Sequence, residues 1–446
     1  MTRRRIPFAE AVRQHTLGNG ARLYVLENHF NPTLALSGSL DAGRLYAPAD
    51  RRMVASVAAG ELLKGTRHRT KLELAEALES RAASLSFAAD AGEPVGLDIG
   101  GSALSRDAEI LLDLLAEVLC EPTFPQEELE KEKKRLVGAI RQSQDQTSVR
   151  AYEAAMRRIY PEGHPLRRQT AQRRIEIAES LTREELAEHY EKRFGAATLR
   201  LVLVGDVEAE RVLDGLEARF GTWRAGPSAE IPRVPAAAPA PGEETVVMPD
   251  KASADVVLAE PWDLVRTDPE FLPCLLANSI LGQAALSSRL GVRVRDVEGL
   301  TYGIHSSFSA MHLAGPFVVS LTVRPDDREG AIAATRDEIE RFLRGGMTVR
   351  ELADEKTARV GKFKVDLASN AGLASAIDSA VSYGLGVGYL DRYPSLIESV
   401  TRHEANAAFA RRVHPERFTV VSAGSFPASP ARREGENRAV GSTGAV

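Results

Sequence analysis

The residues that could do chemistry in this chain are few, and they gather in one stretch, SSRLGVRVRDVEGLTYG at 287–303. Leu290, Val294 and Val297 fall at near-helical spacing, while Arg289, Arg293 and Arg295 occupy other faces. Gly299 follows the apolar run. Glycine tolerates the left-handed backbone that ends helices, so Arg295 is expected in a last helical turn. Tyr302 is then expected at the start of a strand. A guanidinium and a phenolic hydroxyl are fixed hydrogen-bond donors of the kind that hold a carbonyl or an oxyanion. Taken alone, the stretch is better explained by a surface Arg pairing with an acid and a core Tyr.

Other chemistries find little support. The nine histidines include no pair at i,i+3 or i,i+4, the spacings that grip one metal from adjacent helical turns. His189 follows Glu185 and Glu188 on a charged helix, and all three read as a solvated face. No Gly-x-Ser-x-Gly elbow, phosphate loop or dinucleotide fingerprint appears. Cys120 and Cys274 lie far apart in apolar helical settings and read as free buried thiols, with a single disulfide as the alternative.

The elements that would position Arg295 and Tyr302 can be read in order. Asn19-Gly20 is a hairpin turn followed by the alternating runs ARLYVLE and TLALSGSL. A helix from about 50 to 64 stops at Gly65. Helices at 70–84 and 105–120 bracket a strand-like region at 85–103. Pro125 opens a charged helix whose Glu127/Lys131 and Glu130/Lys134 are i,i+4 pairs, with an apolar seam through Leu136, Val137 and Ile140. A helix at 182–194 leads to the strand LRLVLVGDV.

Residues 225–242 are rich in Pro and Ala without periodicity, which predicts an extended, semi-rigid linker. An internal repeat flanks it. ESLTREELAEHYEKRFGAATLRLVLVGDV starts at Glu179 and ESVTRHEANAAFARRVHPERFTVVSAGSF at Glu398, an ungapped offset of 398 − 179 = 219 positions. Two homologous halves of the α+β class follow, each with a largely antiparallel sheet packed against helices. The expected division is 1–224, a linker at 225–242, 243–428, and a disordered tail at 429–446.

At 446 residues the chain exceeds a single core, and 43% hydrophobic with 27% charged residues is ordinary for a globular protein. A net charge of −5 with scattered Arg pairs argues against dedicated nucleic-acid or anionic-membrane binding. The basic N-terminus lacks a signal-peptide core, and no run approaches the roughly 18 apolar residues of a membrane span. A cytoplasmic location is the expectation, provided residue 1 is the true start.

The order of these features resembles the insulinase/pitrilysin family of zinc metallopeptidases, in its processing-peptidase branch. The likeness runs over about 12–426: GNG-x-x-L, ELLKGT at 61–66, the charged helix near 130, HPL at 164–166, LVLVGDV, FGTW at 220–223, the linker, SSRL and RDVEGLTY. Active members carry His-x-x-Glu-His before the Lys-Gly-Thr signal. Those positions here are Ser56, Val57, Ala58, Ala59 and Gly60, and the site of the third ligand, a Glu on the charged helix, is Ala139. Zinc needs three or four N, O or S donors at about 2.0–2.3 Å, and these residues do not supply them. The neighbouring Glu61 reads as a surface or capping residue.

The resemblance further implies that Arg295 and Tyr302, seven positions apart, match the pair with which family enzymes hold the substrate backbone. A non-catalytic subunit is therefore expected, with no metal of its own. It would form a heterodimer with a zinc-bearing His-x-x-Glu-His partner and act on unfolded or short peptides, with no nucleic acid or membrane partner. ILGQAALSSRL is too glycine-poor for the glycine-rich loop of the mitochondrial non-catalytic subunit, which points to a bacterial-type heterodimer instead. The alternative is a scaffolding protein like the core subunits of respiratory complexes that share this ancestry.

Overall fold

The computed structural model describes residues 6–89, 94–226, 230–231, 234, 241–284 and 287–426. Most of the Pro/Ala-rich stretch and the whole of the expected tail fall outside the described residues. Strands β1 (Arg13–Thr16), β2 (Arg22–Glu27), β3 (Thr33–Leu40), β4 (Ser84–Ala88), β5 (Leu97–Leu104) and β6 (Arg200–Gly205) form one sheet in the order β1-β2-β6-β3-β5-β4. Alternation along each strand gives the sheet two distinct faces. Leu34, Leu36, Leu201 and Leu203 turn into the principal core of the first half, whereas Ala35, Val202 and Val204 turn the other way.

The turn at Asn19-Gly20, with Gly20 at φ +97°, closes β1 on β2. TLALSGSL is not the next strand of that hairpin, as alternation alone suggested. β6 inserts between β2 and β3, parallel to the first and antiparallel to the second. Every residue of β6 is buried. An uninterrupted apolar strand is most stable at the sheet centre, where both of its faces are covered.

The second half repeats this plan. Strands β7 (Glu243–Val247), β8 (Ala254–Pro261), β9 (Gly303–Ala310), β10 (Ala314–Val323) and β11 (Thr419–Gly424) are ordered β7-β11-β8-β10-β9. β11 matches β6 residue for residue at the 219-position offset (419 − 200), and it too is buried throughout. Thr182 and Thr401, which precede these strands by the same distance, each head a helix through a capping box with the Glu three residues on. The expected α+β class with two mainly antiparallel sheets is the observed one. The sheet edges in this arrangement are β1 and β4 in one half and β7 and β9 in the other.

Each half lends the other a helix. Thr147–Ile159, from the first half, lies on β8 and β11. It places Ala151, Ala154, Ala155 and Ile159 against Val257, Ala259, Val421 and Ala423. Asn370–Ser382, from the second half, lies on β3 and β6, where Leu373, Ala374 and Ile377 meet Ala35, Val202 and Val204. Asn370 adds polar ties, its side-chain amide donating to the Thr33 carbonyl and accepting from Asn28. No helix among the described residues is long and apolar enough to cross a membrane.

This exchange predicts that neither half is stable alone. Expressed as 1–226, the first half should bind a hydrophobic dye and aggregate, because Ala35, Val202 and Val204 lose their cover. Co-expression with 241–446 should restore a monodisperse complex on size exclusion. A cooperatively folded, dye-silent first half would show that the exchanged helix is dispensable.

Candidate functional site

The stretch 287–303 folds as a π-helical segment, Gly291–Val297, followed by a turn into β9. Arg295 sits in its last turn and Tyr302 immediately precedes β9, as the sequence suggested. Gly299 has φ +66°, and its N–H donates to the Arg295 carbonyl at 3.1 Å while Leu300 N–H reaches Val294 at 3.0 Å. Leu290 and Val294 are fully buried. Val297 is not: it is 67% exposed. A π turn advances by more residues than an α turn, so the third apolar position rotates out of the stripe.

The three arginines separate by their partners. Arg289 grips Glu351 with two bonds of 2.7 and 2.8 Å, caps the Gly346 carbonyl and lies over the Phe342 ring. Arg293 pairs with Glu298 at 2.7 Å and approaches Asp337 at 3.7 Å. Both bind the segment to the rest of the half. Among the described residues, Arg295 is paired only with its own neighbour, Asp296, at 2.8 Å. That bond, made at the surface, holds the guanidinium above its ordinary value. Tyr302 is 72% exposed, although its N–H is fixed to the Thr322 carbonyl at 3.0 Å. Its ring therefore stands in solvent at the start of an edge strand. It is not the core Tyr that a purely structural account requires.

The positions where the resemblance places zinc ligands lie on Met53–Glu61 and Gln126–Ser143, helices that pack together. Ser56 Oγ donates to the Met53 carbonyl at 3.3 Å, Val57, Ala58 and Ala59 are buried, and Ala139 is a bare methyl on the facing helix. A Cβ built on Gly60 meets no atom within 4 Å, so the space is open but carries no donor. These residues do not fit a zinc ion. Among the described residues, no group of three or more His, Cys, Asp or Glu could hold a metal.

Two side chains are placed differently from expectation. Glu61 is neither exposed nor a cap: it is 0% exposed, and neither carboxylate oxygen has a hydrogen-bond partner. Burial pushes its carboxyl up to about 7, with Glu132 and Glu128 raising it further against Lys64 and Lys71. His189 is also buried, 3.0 Å from the Ala42 carbonyl, and burial holds it below its ordinary value. Both lie on the buried stripes of their helices, Val54-Val57-Glu61 and Leu186-His189-Tyr190, a periodicity that the surrounding polar residues obscured. On the charged helix, Glu127 does pair with Lys131, but Glu130 pairs with Lys133 and not Lys134. Both cysteines are free, and burial raises each thiol to about 12, which leaves them protonated.

The insulinase (peptidase family M16) model matches residues 24–170, and the peptidase M16 inactive domain model matches residues 180–359. The chain is 23% identical over 396 residues to a protein of Helicobacter pylori named non-peptidase homolog YmxG, covering 87% of this chain and 88% of that one. It is also 23% identical to an uncharacterized zinc protease of Streptomyces coelicolor, spanning 65% of this chain and 63% of the relative. Among solved structures, a peptidase M16 inactive domain from Pseudomonas fluorescens superposes with a TM-score of 0.84 at 25% identity, over 94% of this chain and 98% of that one.

The orphaned Glu61 has a measurable consequence. Its folded-state pKa lies above the unfolded value, so the native state holds the proton more tightly, and stability falls as pH rises between the two values. From about pH 5 to about pH 8 this group should remove about 1–3 kcal/mol, and Glu61→Gln should abolish that share of the slope. Glu61→Met should raise stability most at the alkaline end. Urea unfolding of wild type and variants across this range checks it, and parallel curves would contradict the burial argument.

Proposed function

The chain belongs to the insulinase family, peptidase M16, and from that membership we infer that it is a non-catalytic subunit which holds peptide for a zinc-bearing partner. The observation that carries this reading is the combination of an unmade metal site with an available Arg295 and an exposed Tyr302 beside the free edge of β9. An open strand edge offers a peptide main chain alternating donors and acceptors. Arg295 and Tyr302 would add two donors next to it, placed to bind a substrate carbonyl and, as hydrolysis proceeds, the oxyanion it becomes. The partner would contribute zinc and the general base through an intact His-x-x-Glu-His. This chain would supply half of a chamber suited to unfolded or short peptides. The relative named as a non-peptidase homolog supports the same division of labour.

In this reading Arg295 and Tyr302 act on a substrate whose scissile bond is cut by the other subunit. Each substitution should therefore affect turnover by the mixture without affecting this chain's folding, because neither side chain is tied to the core. The isolated chain should hydrolyse no peptide. Mixed with a family member carrying the intact motif, it should form a heterodimer on size exclusion and support cleavage that a chelator stops. Arg295→Ala or Tyr302→Phe should then lower turnover by about 10- to 1000-fold, the range for losing one oxyanion-type donor. Full activity in both variants would remove the pair from the mechanism. Failure of any such partner to associate would favour the scaffolding role.

A further inference from the structure

The seam between the halves contains a second site, unrelated to Arg295 and Tyr302. Two hollows of about 310 and 340 Å³, partly open to solvent, share Met311, Ser379 and Tyr383 in their walls and so form one cleft. The larger hollow has walls from both halves, β3, β5 and β6 on one side and the β9–β10 turn and the exchanged helix Asn370–Ser382 on the other, whereas the smaller lies within the second half.

One end is acidic. Arg200 neutralises Asp41, at 2.5 Å, and donates to Ser39 Oγ at 2.9 Å. The same hollow also holds Asp98 and Asp378. Asp378 Oδ2 accepts from Ser37 Oγ at 2.8 Å, but its buried Oδ1 has no hydrogen-bond partner. Burial raises this carboxyl to about 6, a cost that a bound cation would relieve.

The other end is cationic. The Arg266 guanidinium lies 4.0 Å from the Phe271 ring and 5.7 Å from that of Tyr383. Its buried Nε has no acceptor, and no carboxylate among the described residues pairs with it. The same hollow offers apolar wall at Leu275, Phe308 and Met311, the last shared with the acidic hollow. A carboxylate oxygen and a guanidinium nitrogen, each without a hydrogen-bond partner, therefore line one cleft without pairing with each other. A buried unpaired charge is costly, and a ligand bearing both complements would satisfy both at once.

We propose that this cleft binds short zwitterionic peptides, with the terminal ammonium at Asp378, the terminal carboxylate at Arg266 and apolar side chains against Leu275, Phe308 and Met311. A free amino acid is disfavoured because the two charged groups belong to different hollows. Arg is suited to the carboxylate because its planar fork donates to both oxygens at once, and its aromatic stacking holds it in place.

Calorimetric titration of the full chain with the dipeptide leucyl-phenylalanine tests the assignment. Binding with a dissociation constant on the order of 0.1–1 mM is expected for a ligand of this size. Acetylating its N-terminus or amidating its C-terminus should each weaken binding about 10-fold or more, the loss expected for one charged hydrogen-bond partner. In Asp378→Asn the penalty for acetylation should shrink, and in Arg266→Gln the penalty for amidation should shrink. Equal binding of the capped dipeptides, or no binding of the free dipeptide up to about 5 mM, overturns the proposal whatever the behaviour of the variants.

Discussion

The exchange of two helices across the seam is the constraint from which the rest of the molecule follows. A sheet with one face on its own helices still has another face to cover, and here the cover is supplied by the opposite half. Val202, Val204 and Ala35 are dry because Leu373, Ala374 and Ile377 reach over from the second half. Val257, Val421 and Ala423 are dry because Ala151, Ala154 and Ile159 reach back. Small residues on the exchanged helices let them approach the strands closely. The apolar area involved belongs to neither half alone, so its stabilisation is available only to the joined chain. The relative position of the halves is thereby fixed by core packing, and a cleft along the seam inherits that rigidity.

The duplicated plan also explains where chemistry can and cannot reside. Equivalent positions in the two halves started from the same topology and now differ in side chains. In the first half, the Met53–Glu61 helix presents Ser56 and Gly60, which give a metal nothing to bind. In the second half, the segment before the last edge strand has widened into a π-helix that turns Val297 outward and leaves Arg295 half-buried, its side chain bonded to the adjacent Asp296. Buried carboxylates show the same contrast. Glu260, which burial pushes up to about 8, is relieved by the His414 N–H at 3.0 Å and by Trp262. Glu61 has no such donors.

Much of this was legible in the sequence where the signal was local. Gly299 marked the helix end, alternation marked the strands, and the Thr182/Thr401 repeat marked the duplication. Sheet order was less accessible: nothing near ARLYVLE says that β6, far along the chain, will lie beside it, because strand pairing is settled by which strand must be buried on both faces. Val297 was misplaced because heptad-like spacing presumes an α-helix. Glu61 and His189 were misplaced because charged neighbours outweighed a stripe that was present in the pattern. The cleft had no local signal at all. Arg266 and Asp378 lie more than a hundred residues apart and come to line one cleft only in the folded chain, which no sequence periodicity encodes.

The role proposed for Arg295 and Tyr302, rather than for the other arginines of the same stretch, rests on what stability does not require. Arg289 and Arg293 each reach a carboxylate beyond their own turn, and their removal would loosen the fold. An exposed Tyr and an Arg bonded only to its neighbour contribute little, since surface pairs are worth at most about 1 kcal/mol. An open edge strand is a liability that chains usually blunt with charge, proline or a covering element. β9 instead carries Ser and Gly with exposed His305, and Tyr302 stands at its head. Groups left available at a cost to the fold are those a ligand can use. In the proposed reading, the edge of β9 and its two flanking donors are the surface that a peptide main chain uses.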